Sequence, residues 1–164
     1  TETGSSLYTE MMQLGPSLLL ETLDLLESGK FKATSQNELA KLPYRSPSEA
    51  PKLEKAHGSL SPDCSVNEAE RYIRAFYPFP GCRLQLLMDD NSTLELKVHA
   101  AESMYSPNLL PGALKVENGD LMLGFKDGVL RLTQVQAPGK KAMPASDFLR
   151  GLRNRPVRWQ KSSL

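Results

Sequence analysis

Between residues 83 and 136 the chain repeats one pattern: short segments with an apolar residue at every second position, separated by residues that turn a backbone back on itself. In "RLQLLM" and "LELKV" the apolar positions are Leu84 and Leu86, then Leu94, Leu96 and Val98, around the turn-forming Asp89, Asp90, Asn91 and Ser92. In "GALKVENGDLMLGFKDGVLRLTQVQ" Leu114 and Val116 precede Asn118-Gly119, while Leu121, Leu123 and Phe125 follow it; Leu130 and Leu132 come after Asp127-Gly128. A period of two puts one face of each segment in a core and the other in water. Asn-Gly and Asp-Gly accept the positive φ angles of tight hairpins. Beyond Leu132 the apolar residue moves to Val135, off the period, as at a bulge or a barrel corner. Five consecutive strands of this length predict a small closed or nearly closed barrel.

Helices flank this region. Ser65 with Glu68 makes a capping box, and Val66, Ala69, Ile73 and Phe76 then share one helical face until Pro78 stops the helix. In the "YPFPGCR" turn that follows, Tyr77 and Phe79 are expected against apolar neighbours. Near the start, Leu7, Met11 and Leu14 fall at helical spacing before Gly15-Pro16, which either separates two helices or kinks one; leucines from Leu18 to Leu26 continue the pattern and Gly29 closes it. Those leucines spread around the circumference, so the second segment, residues 17–28, needs cover on more than one side. The cover is an absent partner, the following domain or a second copy of the helix, because "PYRSPSEAPKLEKAHGSLSPD" reads as extended linker.

Length suits one ordinary domain, or a small domain with an extension. No apolar run reaches membrane-spanning length and "TETGSSLYTE" lacks the features of a signal peptide, so a cytoplasmic location is expected. The chain begins at Thr1 without a methionine, which points to a fragment or a processed product. Cys64 and Cys82 read as ordinary reduced thiols, and His57 and His99 have no second ligand at metal-binding spacing, so neither a catalytic residue nor a metal site is assigned. The net charge of +1 conceals an asymmetry: from Arg131 onward there are 8 basic side chains against one acid, Asp147. Lys140 and Lys141, set between a Pro-Gly turn and a short amphipathic stretch, should stand at a fixed corner.

"RYIRAFYPFPG" (71–81) and "VQAPGKKAMPASDFLRG" (135–151) resemble the C-terminal part of the methionyl-tRNA formyltransferases. "LYTEMMQLGPSLLLETLDLLESG" (7–29) resembles the end of that family's catalytic domain, and "APKLEK" (50–55) its interdomain linker. The resemblance implies an α+β fold: an OB-like barrel of five to six strands with flanking helices, at 64–164, after a helical extension at 1–32 and a linker at 33–63. It further implies a parent enzyme that moves a formyl group from 10-formyltetrahydrofolate to the methionyl amino group of initiator tRNA, with the barrel helping to hold the tRNA. The family's catalytic asparagine, histidine and aspartate lie upstream of the resembled segment, in an N-terminal catalytic domain, so this chain is not expected to transfer formyl groups alone. There are departures: Leu60-Ser61-Pro62 replaces a common Ile-Asp-Trp, and Tyr77 and Phe79 stand where Asn and Trp are usual.

Under that resemblance the tRNA-binding candidates are Lys140, Lys141, Arg150, Arg153, Arg155 and Arg158, contacting backbone phosphates. Arg150 and Arg153 would share a helix face if the helix runs that far. Composition alone favours a merely solvated basic surface, since a net of about +4 over the last hundred residues is modest for a nucleic-acid binder. For stacking on bases, Tyr105 and Trp159 are the exposed candidates, with Tyr72, Tyr77, Phe79 and Phe125 expected in the core or in turn packing. The competing expectation is a structural or dimerising cap of a related formyltransferase acting on a sugar or another small amine, with self-association through the 17–28 helix.

Overall fold

The structure, a computed structural model, describes residues 2–35, 38, 49–104, 109–153 and 155–163. It divides into two compact units, Ser6–Lys52 and Leu53–Leu164, the latter joined by the chain's first residues. In the former unit, helix α1 (Gly4–Glu27) runs on through Pro16 as one helix. It stops in a Schellman motif, with Gly29 at φ +67°, the Lys30 amide donating to Leu25 O at 3.0 Å and the Gly29 amide to Leu26 O at 3.2 Å. None of its residues is buried.

The larger unit is an antiparallel barrel. Helix α2 (Val66–Ala75) leads into β1 (Cys82–Met88), β2 (Thr93–Met104), β3 (Leu114–Glu117), β4 (Asp120–Gly124) and β5 (Val129–Gln136). A two-residue β6 (Met143–Pro144), a short α3 (Ala145–Arg150) and β7 (Pro156–Lys161) complete it. The sheet order is β3-β4-β5-β2-β1-β7, with β6 paired to β5. Its two edges meet where Ala113 bridges Arg158 and the Trp159 amide donates to Gly112 O at 3.2 Å. The fold is thus the expected α+β OB-like barrel, nearly closed. Its last strand is built from residues that the sequence presents as a basic tail.

The alternation becomes register: Leu84 faces Leu96, Leu86 faces Leu94 and Leu121 faces Leu132, and all except half-buried Leu94 lie in the core. Asn118 (φ +53°) and Gly119 (φ +85°) make the tight β3–β4 turn. Between β2 and β5 the register slips around Ala100, and Val135 re-enters the core after the irregularity. Several expectations are corrected. Trp159 is buried, packed on Phe125 with ring centroids 4.8 Å apart. Tyr72, Tyr77 and Phe79 are exposed rather than packed away; Tyr77 sets its ring edge-on to His99 and Tyr72 stacks on half-buried Phe76. Tyr105 lies outside the described residues.

Helix α2 is capped twice. Ser65 Oγ accepts from the Glu68 amide at 3.2 Å and the Glu68 carboxylate accepts from the Ser65 amide at 3.0 Å, the reciprocal box read from the sequence. From the β4–β5 turn, Asp127 Oδ1 accepts the Val66 amide at 2.8 Å. Asp127-Gly128 therefore does not serve a positive φ. Gly128 is needed because a Cβ there would meet Val66 Cγ1 at 2.8 Å and Met104 O at 3.1 Å. The hydrogen bonds from Ser65 hold the Glu68 carboxyl below its ordinary pKa. With the folded value depressed, the box stabilises the fold above the unfolded carboxylate range and is lost as pH falls through the lowered value.

Two outcomes follow for this barrel. Asp127→Ala lowers stability by about 1 kcal/mol through the lost cap, and Gly128→Ala by about 1–3 kcal/mol through overpacking, both read by urea denaturation. Burial pushes the Cys82 thiol up to about 12, whereas Cys64 is only half buried, its thiol raised first by burial and then by Glu68. Iodoacetamide at mildly alkaline pH therefore labels Cys64 first, and mass spectrometry detects Cys82 adducts only once the barrel unfolds.

Candidate nucleic-acid interface

The Lys140 corner is a rigid one. Ala137-Pro138-Gly139-Lys140 forms a turn with Gly139 at φ +71° and the Lys140 amide donating to Ala137 O at 3.1 Å, as a proline followed by a left-handed glycine dictates. The Gln136 side-chain amide donates to Lys140 O at 2.7 Å, tying the turn to the end of β5. Both lysines are exposed. Beside the turn is a small cavity of about 230 Å³ lined by Glu95, Lys97 and residues 136–139. Lys97 was not among the sequence candidates, although alternation between Leu96 and Val98 sends it outward.

The arginines divide. Helix α3 ends at Arg150, where the Gly151 amide donates to Asp147 O at 3.2 Å and to Phe148 O at 3.1 Å. Arg153 therefore lies beyond the helix, and the shared helix face does not form. Arg150 pairs with Asp147 three residues back, so much of its charge is locally matched. Arg153 and Arg155 line one groove of about 690 Å³ together with Leu114, Val116, Leu149, Leu152, Pro156 and Val157. Arg155 is anchored through its carbonyl, which accepts the Asp89 amide at 2.9 Å. Arg158 points outward from β7 between the buried Pro156 and Trp159.

Among the described residues the ion pairs involve none of Lys140, Lys141, Arg153, Arg155 or Arg158. Arg131, counted with the basic tail in the sequence, is different: Glu102 on β2 at 2.5 Å and Asp120 on β4 at 3.5 Å flank it and raise its pKa. The structure thus places Arg153 with Arg155 on one groove, Arg158 on the adjoining strand, and the lysine pair at a separate turn.

The histidines have local structural roles. His57 Nδ1 accepts the Glu54 amide at 2.8 Å at the start of a single 3-10 turn, and His99 Nε2 lies 3.0 Å from Gln136 Oε1. Among the described residues no group of three His, Cys, Asp or Glu side chains could hold a metal ion, and no helix is long and apolar enough to cross a membrane.

Residues 52–153 match the family described as formyl transferase, C-terminal domain. A methionyl-tRNA formyltransferase of Pseudoalteromonas translucida (strain TAC 125) is 34% identical over 152 residues, which cover 92% of this chain and 45% of that enzyme. The chain therefore spans under half the length of this relative. Two crystal structures of HypX variants from Aquifex aeolicus align with a TM-score of 0.55 at 20% identity, over 99% of this chain and 29% of theirs, a likeness of fold. A seven-stranded barrel of this topology, matched by the family's sequence pattern over most of its length, places the chain in the formyl transferase C-terminal domain family.

Proposed function

We propose that this chain is the tRNA-binding C-terminal portion of a methionyl-tRNA formyltransferase. The observation that carries the reading is a set of five exposed cations, Lys140, Lys141, Arg153, Arg155 and Arg158, held on turns and a strand with no ion pair among the described residues. Unpaired cations fixed to a rigid scaffold suit a polyanion, because neutralising phosphates releases condensed counterions without any reacting group on the protein. The 34% identity to a methionyl-tRNA formyltransferase supports a tRNA as that polyanion, which we take to be the initiator tRNA.

In this reading the complete cytoplasmic parent transfers a formyl group from 10-formyltetrahydrofolate to the methionyl amino group. The groups that bind the formyl donor belong to an N-terminal catalytic domain. The larger groove has arginines that could meet such a donor's glutamate carboxylates, but its lining offers no carboxylate, histidine or amide to hydrogen-bond the pterin ring or to act on the formyl group. Residues 1–32 would be the end of the catalytic domain, 33–63 the linker and 64–164 the tRNA-holding barrel. The leucines of α1, half or more exposed from Leu18 to Leu23, are then surface that the catalytic domain covers in the parent.

Salt dependence tests the charge-based reading. The logarithm of the affinity for initiator tRNA should fall by roughly 0.7–0.9 per log unit of salt for each phosphate neutralised. Lys140→Ala with Lys141→Ala, and separately Arg153→Ala with Arg155→Ala, each reduce that slope by about 1.4–1.8 with little change in melting temperature. Arg150→Ala has the smaller effect, because Asp147 already pairs with it. A slope unmoved by either double substitution would favour the cap of a small-amine formyltransferase.

A further inference from the structure

Phosphate binding leaves one feature of the larger groove unexplained. Cations alone are enough to track a nucleic-acid backbone, yet six of the eight residues lining this groove are apolar. Val116 and Val157 are each 46% exposed, and Leu114, Leu149 and Leu152 are only partly buried against the core. Leu114 pairs with Leu123 and Val116 with Leu121, so all four share one face of the sheet, but β3 is its edge strand and there that face opens onto the groove. The last turn of α3 and the start of β7 supply the opposite side. Open aliphatic surface beside two unpaired arginines fits a ligand with an apolar, flat body and anionic groups on either side of it.

We propose that this groove seats one unpaired nucleotide of the bound RNA, its base against Val116, Leu152 and Val157 and its neighbouring phosphates on Arg153 and Arg155. The inference rests on the RNA reading above and specifies it: the chain takes a looped or single-stranded element here, not the side of a duplex. The groove's volume of about 690 Å³ falls in the range of small-ligand pockets, roughly 300–1,000 Å³, and is far too small for a helix of paired strands. Stacking within a duplex also covers the apolar faces of bases, which unstacked single strands and loops expose to protein side chains. The groove is built on strands and a hydrogen-bonded loop, so it is formed before the RNA arrives.

The 164-residue chain is titrated, at low salt, with a short oligocytidylate and with a fully paired RNA hairpin stem, observing leucine and valine methyl resonances. The oligocytidylate shifts the methyls of Leu114, Val116, Leu149, Leu152 and Val157, and the paired stem leaves them in place. Val116→Gln with Val157→Gln, both at exposed positions, weakens the single strand about tenfold and the paired stem less than about twofold. Should both RNAs bind with equal affinity and the double variant weaken neither, the nucleotide seat is wrong while the phosphate reading stands. Binding of neither RNA would remove both. Methyl shifts produced by an acidic leucine-rich peptide but not by oligocytidylate would make the groove a peptide site and overturn the proposal. The methyl shifts of the unsubstituted chain decide the question even if the double variant fails to fold.

Discussion

The insertion of β7 as the closing strand fixes the arginine-bearing part of this surface. Leu86 pairs with Trp159 across the β1–β7 ladder, the Trp159 amide reaches Gly112 O on the other edge of the sheet, and the indole packs on Phe125. Removing a buried side chain of this size costs about 3–5 kcal/mol, so the strand is held by packing as well as by hydrogen bonds. Gly112 sits at φ +76°, a left-handed backbone that lets its carbonyl face the incoming strand. Arg153 and Arg155 lie on the segment that feeds β7 and Arg158 lies within it, so closing the barrel also positions three cations.

How much of this was legible in the sequence depended on whether the governing contact is local. The β1–β2 and β3–β4 hairpins, the Ser65–Glu68 box and the proline-glycine corner at Lys140 each follow from residues a few positions apart, and each is present. Strand β7 was hidden for a physical reason. Pro156 pairs with Met88 and Arg158 with Leu87, leaving Val157 as an extra residue, so the two inward positions, Pro156 and Trp159, are three apart and not two. The period of a half-buried strand is broken at that point, and the charged residues around it read as tail.

The candidate site shows the same division. The match of Arg150 to Asp147 was available from a three-residue spacing on a helix, whereas the neutralisation of Arg131 by Glu102 and Asp120 requires knowing which strands pair. Gly128 was explained locally by turn geometry, yet its constraint comes from Val66, 62 positions earlier. Tyr77 and Phe79 are apolar enough to suggest burial, and only the course of the chain after α2 leaves them exposed. No periodicity within Leu114–Val116 or Leu149–Val157 indicates that the two stretches face each other across a groove.

The account turns on whether the arginine-rich end of the chain is a strand of the barrel or a solvated tail. Native-state amide hydrogen exchange on the 164-residue protein measures this residue by residue. If β7 closes the sheet, the Trp159 amide exchanges as slowly as the amides of the β1–β2 ladder, with a free energy of opening near that of global unfolding. Exchange of Trp159 at the rate of an unstructured peptide, while β1 and β2 stay protected, would contradict it and leave Arg153, Arg155 and Arg158 without a fixed surface.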